Sequence, residues 1–202
     1  MTTTLLPAFP LDIVVLPGED QYLHIFEQRY LQLINELKDT EAEFAIPYTE
    51  KDKVHPYGVL VKIDSVFGES PEGTLYISVS GTGTFKLKNL LDKYPGKLYP
   101  AAEIEVFPIE TTAENKLMIS ELHPKLIELL SLFKGDDSKL AVPVPENSFA
   151  AAGLLRFQVE KKLELISIPE EKDRLRWLAN EIILQIRICE TEYDLQGQFS
   201  LN

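Results

Sequence analysis

Three histidines, one cysteine, a serine and glycine run and several adjacent carboxylates are the groups in this sequence that could carry chemistry. His24, His55 and His123 lie far apart and show no H-E-x-x-H or other close ligand spacing, so no metal site is expected. Cys189 stands alone, which rules out an internal disulfide and every multi-cysteine metal site, and its size suits an apolar core position. A nucleophile elbow at Ser80 fails because Ser78 occupies the place of its first glycine. Gly81-Thr82-Gly83-Thr84 leads into Phe85-Lys86-Leu87 instead of a helix-opening third glycine, and no G-x-x-x-x-G-K-[ST] occurs, so no nucleotide cofactor is expected. That run reads as a strand bulge or turn. The carboxylates Glu170-Glu171 and Glu41 with Glu43 sit where helix N-termini and solvated turns favour them, and nothing pairs them across a cleft. The expectation is a protein without catalytic machinery.

Charge narrows the partners. With 32 acidic against 20 basic residues the formal charge is −12, whereas nucleic-acid affinity rests largely on Lys and Arg neutralising phosphates. Lys86, Lys88, Lys93 and Lys97 form the only loose basic cluster and read as a solvated strand face. Nucleic-acid binding is therefore disfavoured, and neither nucleic acid nor a membrane is expected as a partner. MTTTLLPAFP lacks the basic and apolar regions of a signal peptide and the apolar runs are short, which together with one cysteine point to the cytoplasm.

The elements that would position these groups change character near residue 110. Before it, Glu43 to Tyr48, Tyr57 to Phe67, Thr74 to Leu91 and Leu98 to Pro108 read as strands separated by Pro, Gly and Asp. In Val59 to Phe67 the residues Val59, Val61, Ile63 and Phe67 share one face, with Lys62 and Asp64 opposite. Ser70-Pro71-Glu72-Gly73 joins that strand to the next as a hairpin. One helix interrupts, from Glu27 to about Lys38, on the spacing of Tyr30, Leu33, Ile34 and Leu37.

After residue 110 the period is helical. Thr111-Thr112-Ala113-Glu114 predicts a capping box ahead of Ile119, Leu122, Leu126, Leu129, Leu130 and Phe133, with Gly135 as the stop and a bend or break at Pro124. A second helix is predicted from about Ser148 to Ile166. Ser167-Ile168-Pro169-Glu170 predicts another box opening the last helix, whose stripe Leu175, Leu178, Ile182, Ile186, Cys189, Tyr193 is widened by Trp177, Leu184 and Ile188. Two parts follow, a β-rich 1–110 and a helical 111–202.

The stretch from Phe9 to Tyr30 carries a resemblance. Phe9-Pro10-Leu11, Val15-Leu16-Pro17-Gly18 and Leu23-His24-Ile25-Phe26-Glu27 with Arg29-Tyr30 resemble the N-terminal, substrate-binding domain of the Lon protease family. Tyr57-Gly58-Val59, Ser78-Val79-Ser80-Gly81 leading to Phe85-Lys86-Leu87, and Tyr99-Pro100-Ala101-Ala102-Glu103-Ile104 follow in that family's order, with Thr84 where an arginine is usual. Leu163-Glu164-Leu165 and Arg174-Leu175 resemble its last helical segment more loosely.

The resemblance implies an α+β fold: a PUA-like six-stranded β-barrel with one inserted helix, then a C-terminal helical subdomain. It implies that Pro17-Gly18 turns the chain, that Leu23 to Phe26 returns as a short strand, that His24 is a buried or half-buried hydrogen-bonding residue and that Phe26 belongs to the core. The function implied is recognition of unfolded or degron-bearing polypeptide, alone or with a protease component, by a stand-alone, monomeric or weakly dimeric module lacking the ATPase and protease domains. An RNA-binding barrel and a cryptic hydrolase are the alternatives, the first opposed by charge. In-phase Leu75, Ile77 and Val79 turn Tyr76 outward, and in-phase Ala102, Ile104 and Val106 leave Tyr99 and Phe107 on the opposite face. Tyr76, Tyr99 and Phe107 are the candidate polypeptide-binding residues, the equal alternative being that the helical half covers them as a second core layer.

Overall fold

The structure is a computed structural model that describes residues 3–51, 53–71, 73–109, 111–134 and 142–199. Six strands and five helices follow in the order β1 (Thr4–Pro7), β2 (Asp20–Ile25), α1 (Gln28–Leu37), β3 (Phe44–Glu50), β4 (Lys53–Glu69), β5 (Leu75–Leu91), β6 (Ala101–Phe107), α2 (Ala113–Lys134), α3 (Ser148–Leu155), α4 (Val159–Ile166) and α5 (Glu171–Phe199). The chain divides into two compact units, Met1–Pro108 with Phe157–Pro169, and Ile109–Arg156 with Glu170–Asn202. The first crossing falls beside the change of period near residue 110. The chain then returns to the β unit for α4, which the periodicity had not separated from α3.

In the first unit all strand pairs are antiparallel and run β1-β6-β5-β4-β3, with β2 added to β5. The class is α+β. The ladder of named strands is not closed into a barrel; instead the residues after β1 meet β3 through isolated parallel bridges, Ala8 to Ala45 and Leu11 to Tyr48. Strand β5 is the backbone of the unit, pairing with β2 and β4 along its first half and with β4 and β6 along its second. Ala8, Ala45, Leu60, Phe85, Ala102 and Ile104 form the core inside it.

The glycine run in β5 is a bulge. Leu60 pairs with Gly83 and Val61 with Gly81, so Thr82 is the extra residue that bends the strand. Gly81 there meets the Pro17-Gly18 turn: Gly18 N donates to Gly81 O at 2.9 Å and Gly81 N to Glu19 O at 2.9 Å. A Cβ on Gly81 would lie 2.2 Å from Leu16 O, so no other residue fits without moving backbone. Gly18 itself has φ +86°, the left-handed region glycine enters without steric cost.

Helix α1 begins beyond Glu27 and buries Tyr30, Leu33 and Ile34; Tyr30 stacks on Phe9 with ring centroids 3.8 Å apart. Helix α4 is held to the turn by Lys162, whose Nζ lies 2.6 Å from Glu19 Oε2 and 3.3 Å from Val14 O.

The second unit packs α2 and α5 through buried Ile119, Leu122, Leu126 and Leu129 and Leu175, Leu178, Ile182 and Ile186. Its local starts differ from those expected. Thr112, not Thr111, caps α2, accepting from Asn115 N at 3.1 Å, and the helix continues through Pro124. The single helix predicted over 148–166 is two, because Arg156 takes a left-handed conformation, φ +50°, at the end of α3. Ser167 does not open α5: its hydroxyl donates to Glu164 O at 2.6 Å and so closes α4, and α5 starts at Glu171. Glu72, Gly135 and the side chain of Tyr193 lie outside the described residues.

Candidate functional site

The first half of β5, strand β2 with the residue after it, and the end of β4 bring five aromatic rings to one exposed surface. Antiparallel register sets His24 opposite Tyr76 and Tyr22 opposite Ser78, and alternation points these residues away from the buried Ile25, Leu75, Ile77 and Val79. The His24 and Tyr76 rings stack with centroids 4.4 Å apart and planes 8° apart. On one flank Phe26 lies 5.8 Å from His24; on the other Phe67 lies 6.4 Å from Tyr76 and meets Tyr22 edge-on at 5.6 Å. Nε2 of His24 is hydrogen-bonded to Thr74 Oγ1 at 2.9 Å, and Thr74 Oγ1 donates to Ser70 Oγ at 2.9 Å, which fixes the imidazole against the hairpin.

Two irregularities in β4 bring Phe67 to this platform. Register shifts fall between Ile63 and Ser65 and between Val66 and Gly68, leaving Asp64 and Phe67 as extra residues. Strict alternation would bury Phe67 with Val59, Val61 and Ile63. The bulge at Asp64 reverses the phase instead, and Phe67, itself the extra residue of the second bulge, is exposed. Gly68 then sits opposite Tyr76, whose Cδ2 would lie 3.4 Å from a Cβ there, so the tyrosine ring covers the bare backbone.

Several expected placements are corrected. Phe26 is 62% exposed, since it follows the last paired residue of β2 and precedes α1 without entering either. His24 is exposed as well, although it does make a hydrogen bond. Tyr76 is 41% exposed, as alternation requires. Tyr99 and Phe107 are not on the surface, with exposures of 2% and 7%. Tyr99 precedes β6, so strand alternation does not govern it; its hydroxyl donates to Glu36 Oε2 of α1 at 2.8 Å. Phe107 pairs with Thr84 where Gly83, Thr84 and Phe85 are buried in succession, so both faces of the sheet are covered there and the outward face is no longer a solvent face. Its ring lies 6.0 Å from Tyr57.

Electrostatics around Tyr99 are local. Its hydroxyl is pushed well above the ordinary tyrosine range by burial and by the Glu36 carboxylate it donates to. Glu36 is held below the usual carboxylate range, first by Lys97 at 2.8 Å and then by Tyr99. These groups anchor α1 to the segment before β6.

Elsewhere the reactive residue types are spent on structure. Glu171 accepts from Ser148 N at 2.7 Å and Ser148 Oγ at 2.8 Å, and pairs with Arg174, whose guanidinium lies 4.7 Å over the Phe149 ring. This serine, glutamate and arginine set ties the starts of α3 and α5 together inside the second unit; sequence reasoning assigns Glu171 only the role of a helix-start carboxylate, because its partners are 23 residues away or across a helix turn. All three side chains are buried, with no access for a substrate. No group of three or more His, Cys, Asp or Glu among the described residues could hold a metal ion, and no described helix is long and apolar enough to cross a membrane.

The substrate-binding domain of the ATP-dependent protease La (LON) has a sequence profile that matches residues 5–183. The chain belongs to this LON substrate-binding domain family. Lon protease 2 of Herpetosiphon aurantiacus is 25% identical over 217 aligned residues, covering 98% of this chain and 26% of that protein, so the chain spans about a quarter of its relative. A Lon N-terminal domain protein from Xanthomonas campestris superposes with a TM-score of 0.60 at 25% identity, over 87% of this chain and 96% of that one. The N-terminal domain of the Mycobacterium avium complex Lon protease shares the fold, with a TM-score of 0.63 at 20% identity over 89% and 98% of the two chains. Within the LON substrate-binding fold, Pro17-Gly18 and Leu23 to Glu27 build the β2 edge that carries half of the aromatic platform.

Proposed function

We propose that this chain recognises polypeptide without acting on it chemically, and that the platform of Tyr22, His24, Phe26, Phe67 and Tyr76 takes exposed apolar segments of unfolded or degron-bearing proteins. The observation that carries the reading is the exposure of five clustered rings, Tyr22 reaching 71%, on a domain of a substrate-binding family. Contiguous exposed apolar surface is uncommon on soluble domains and marks sites of interaction. Aromatic rings bury much area for little lost conformational freedom, which suits capture of varied sequences. Strand β2 has β5 as its one ladder partner among the described residues, so main-chain groups along its other edge lie beside the rings and suit an extended chain. Delivery of the bound chain to a protease is the natural use of such a module, by analogy with the Lon protease about a quarter of whose length it matches. The net charge of −12 opposes the RNA-binding alternative.

A fluorescently labelled, reduced and alkylated unfolded protein tests this by anisotropy. The double variant Tyr22→Ser, Phe67→Ser should bind it at least about tenfold more weakly while melting within a few degrees of the wild type, since both rings are exposed. Equal binding by the two proteins, or none by the wild type, overturns the proposal.

A further inference from the structure

A second surface of the first unit is built differently from the platform. Between β4 and α4 runs a groove of about 420 Å³ lined by His55, Tyr57, Glu160, Leu163, Glu164 and Ser167. Its floor is apolar: the His55 and Tyr57 rings lie 5.8 Å apart with their planes 50° apart, and Tyr48 meets His55 edge-on at 6.2 Å. The His55 imidazole is held by its own strand, Nδ1 accepting from Tyr57 N at 3.3 Å. The rim is acidic. Two of the six lining residues are carboxylates and none is lysine or arginine.

One α4 cation is directed away from the groove and the other is held by a rim carboxylate. Lys162 points to Glu19 and Val14, and Lys161 pairs with Glu164 at 3.1 Å, an exposed i,i+3 pair of the kind that contributes little and exchanges readily. Glu160 has no ion-pair partner among the described residues. The negative field reaches the aromatic floor: after burial itself, Glu50, Asp12 and Glu160 hold the Tyr48 hydroxyl above its ordinary value.

We infer that this groove takes a cationic side chain of a bound polypeptide, with arginine the better fit. A guanidinium can lie over the Tyr57 ring, beside the tilted His55 ring, while its N–H groups donate to Glu160 and Glu164, and its aliphatic stem can cover Leu163. The inference rests on the proposed function only in taking polypeptide as the ligand; it adds a charge preference at a site that shares no residue with the platform.

The probe is a short labelled peptide with one arginine between two leucines, set against its lysine and citrulline counterparts. Citrulline keeps the shape and loses the charge. Wild-type protein should bind the arginine peptide about tenfold more tightly than the citrulline peptide, with lysine between them. In Glu160→Gln, Glu164→Gln, which alters only exposed side chains, the arginine peptide should fall to the citrulline level, whereas Tyr22→Ser, Phe67→Ser should leave the arginine to citrulline ratio unchanged. A wild-type ratio near one, lysine no better than citrulline, or a ratio that survives in the glutamine variant overturns the inference. A normal ratio in a protein that ignores unfolded chains would sink the platform and leave the groove standing.

Discussion

Lys162 and Glu19 stand 143 residues apart in sequence and 2.6 Å apart in space, where one carboxylate oxygen serves both the ammonium and the backbone N–H of Leu16. The pair is mostly screened from solvent, with side-chain exposures of 17% and 21%, so it is worth more than a surface ion pair and less than a fully desolvated one.

Lys162→Met keeps the aliphatic stem and removes the charge. The variant should lose about 1 to 3 kcal/mol in urea denaturation, and a double-mutant cycle with Glu19→Gln should show coupling of about 1 kcal/mol or more. A coupling near zero means that the α4 contact is incidental to folding.

Arg174 is fully buried against Glu171, Ser148 and Phe149. Truncation to Ala leaves a carboxylate buried without its cation, and a loss of about 3 to 5 kcal/mol is expected. Arg174→Met with Glu171→Gln should recover part of that loss, since the uncompensated charge is gone. Calorimetry of the two variants checks the order.

Tyr99 and Glu36 predict the pH profile. Glu36 has a lowered folded-state pKa, so its contribution is present at neutral pH and is lost as pH falls through and below the ordinary carboxylate range. Tyr99 has a raised one: the unfolded chain gives up this proton above the ordinary tyrosine value of about 10 while the folded chain keeps it, so stability declines as pH rises beyond that point. Tyr99→Phe should cost about 1 kcal/mol at neutral pH and flatten the alkaline decline. A variant with the same alkaline slope as the wild type would assign that slope to other groups.

Phe26 is the residue for which the surface placement matters most. An exposed ring supports little of the core, so Phe26→Ala should cost less than about 1 kcal/mol, against the 3 to 5 kcal/mol of a buried phenylalanine, while weakening capture of unfolded protein. Thermal melts and binding on one preparation separate the two roles.

What the sequence disclosed follows from how local the cause was. The Pro17-Gly18 turn, helix α1 and the alternation of Leu75 to Val79 rest on neighbours in the chain, and they stand where the residues place them. Tyr76 was legible for the same reason. Phe67 was not, because the bulge at Asp64 reverses its face and a bulge follows from pairing with β5, not from the composition of β4. Tyr99 and Phe107 were misplaced by extending one strand's phase past its end and into a region covered on both faces. Phe26 carried a motif position that looks architectural, although its side chain lies between two elements. The groove residues His55 and Glu160 come together only because the chain returns to the first unit at Phe157, and no signal in the helical period marks that return.

That return also sets a schedule. During vectorial synthesis the first 108 residues leave the ribosome with every strand in hand, but α4 follows roughly 50 to 60 residues later, a wait of about 3 to 12 s at ordinary elongation rates. Throughout that interval the carboxylate of Glu19 has no Lys162 to meet, and the His55 and Tyr57 surface is open to whatever the nascent chain encounters. The β unit therefore reaches its finished form only when its last segment arrives, after residues 109–156 of the helical unit.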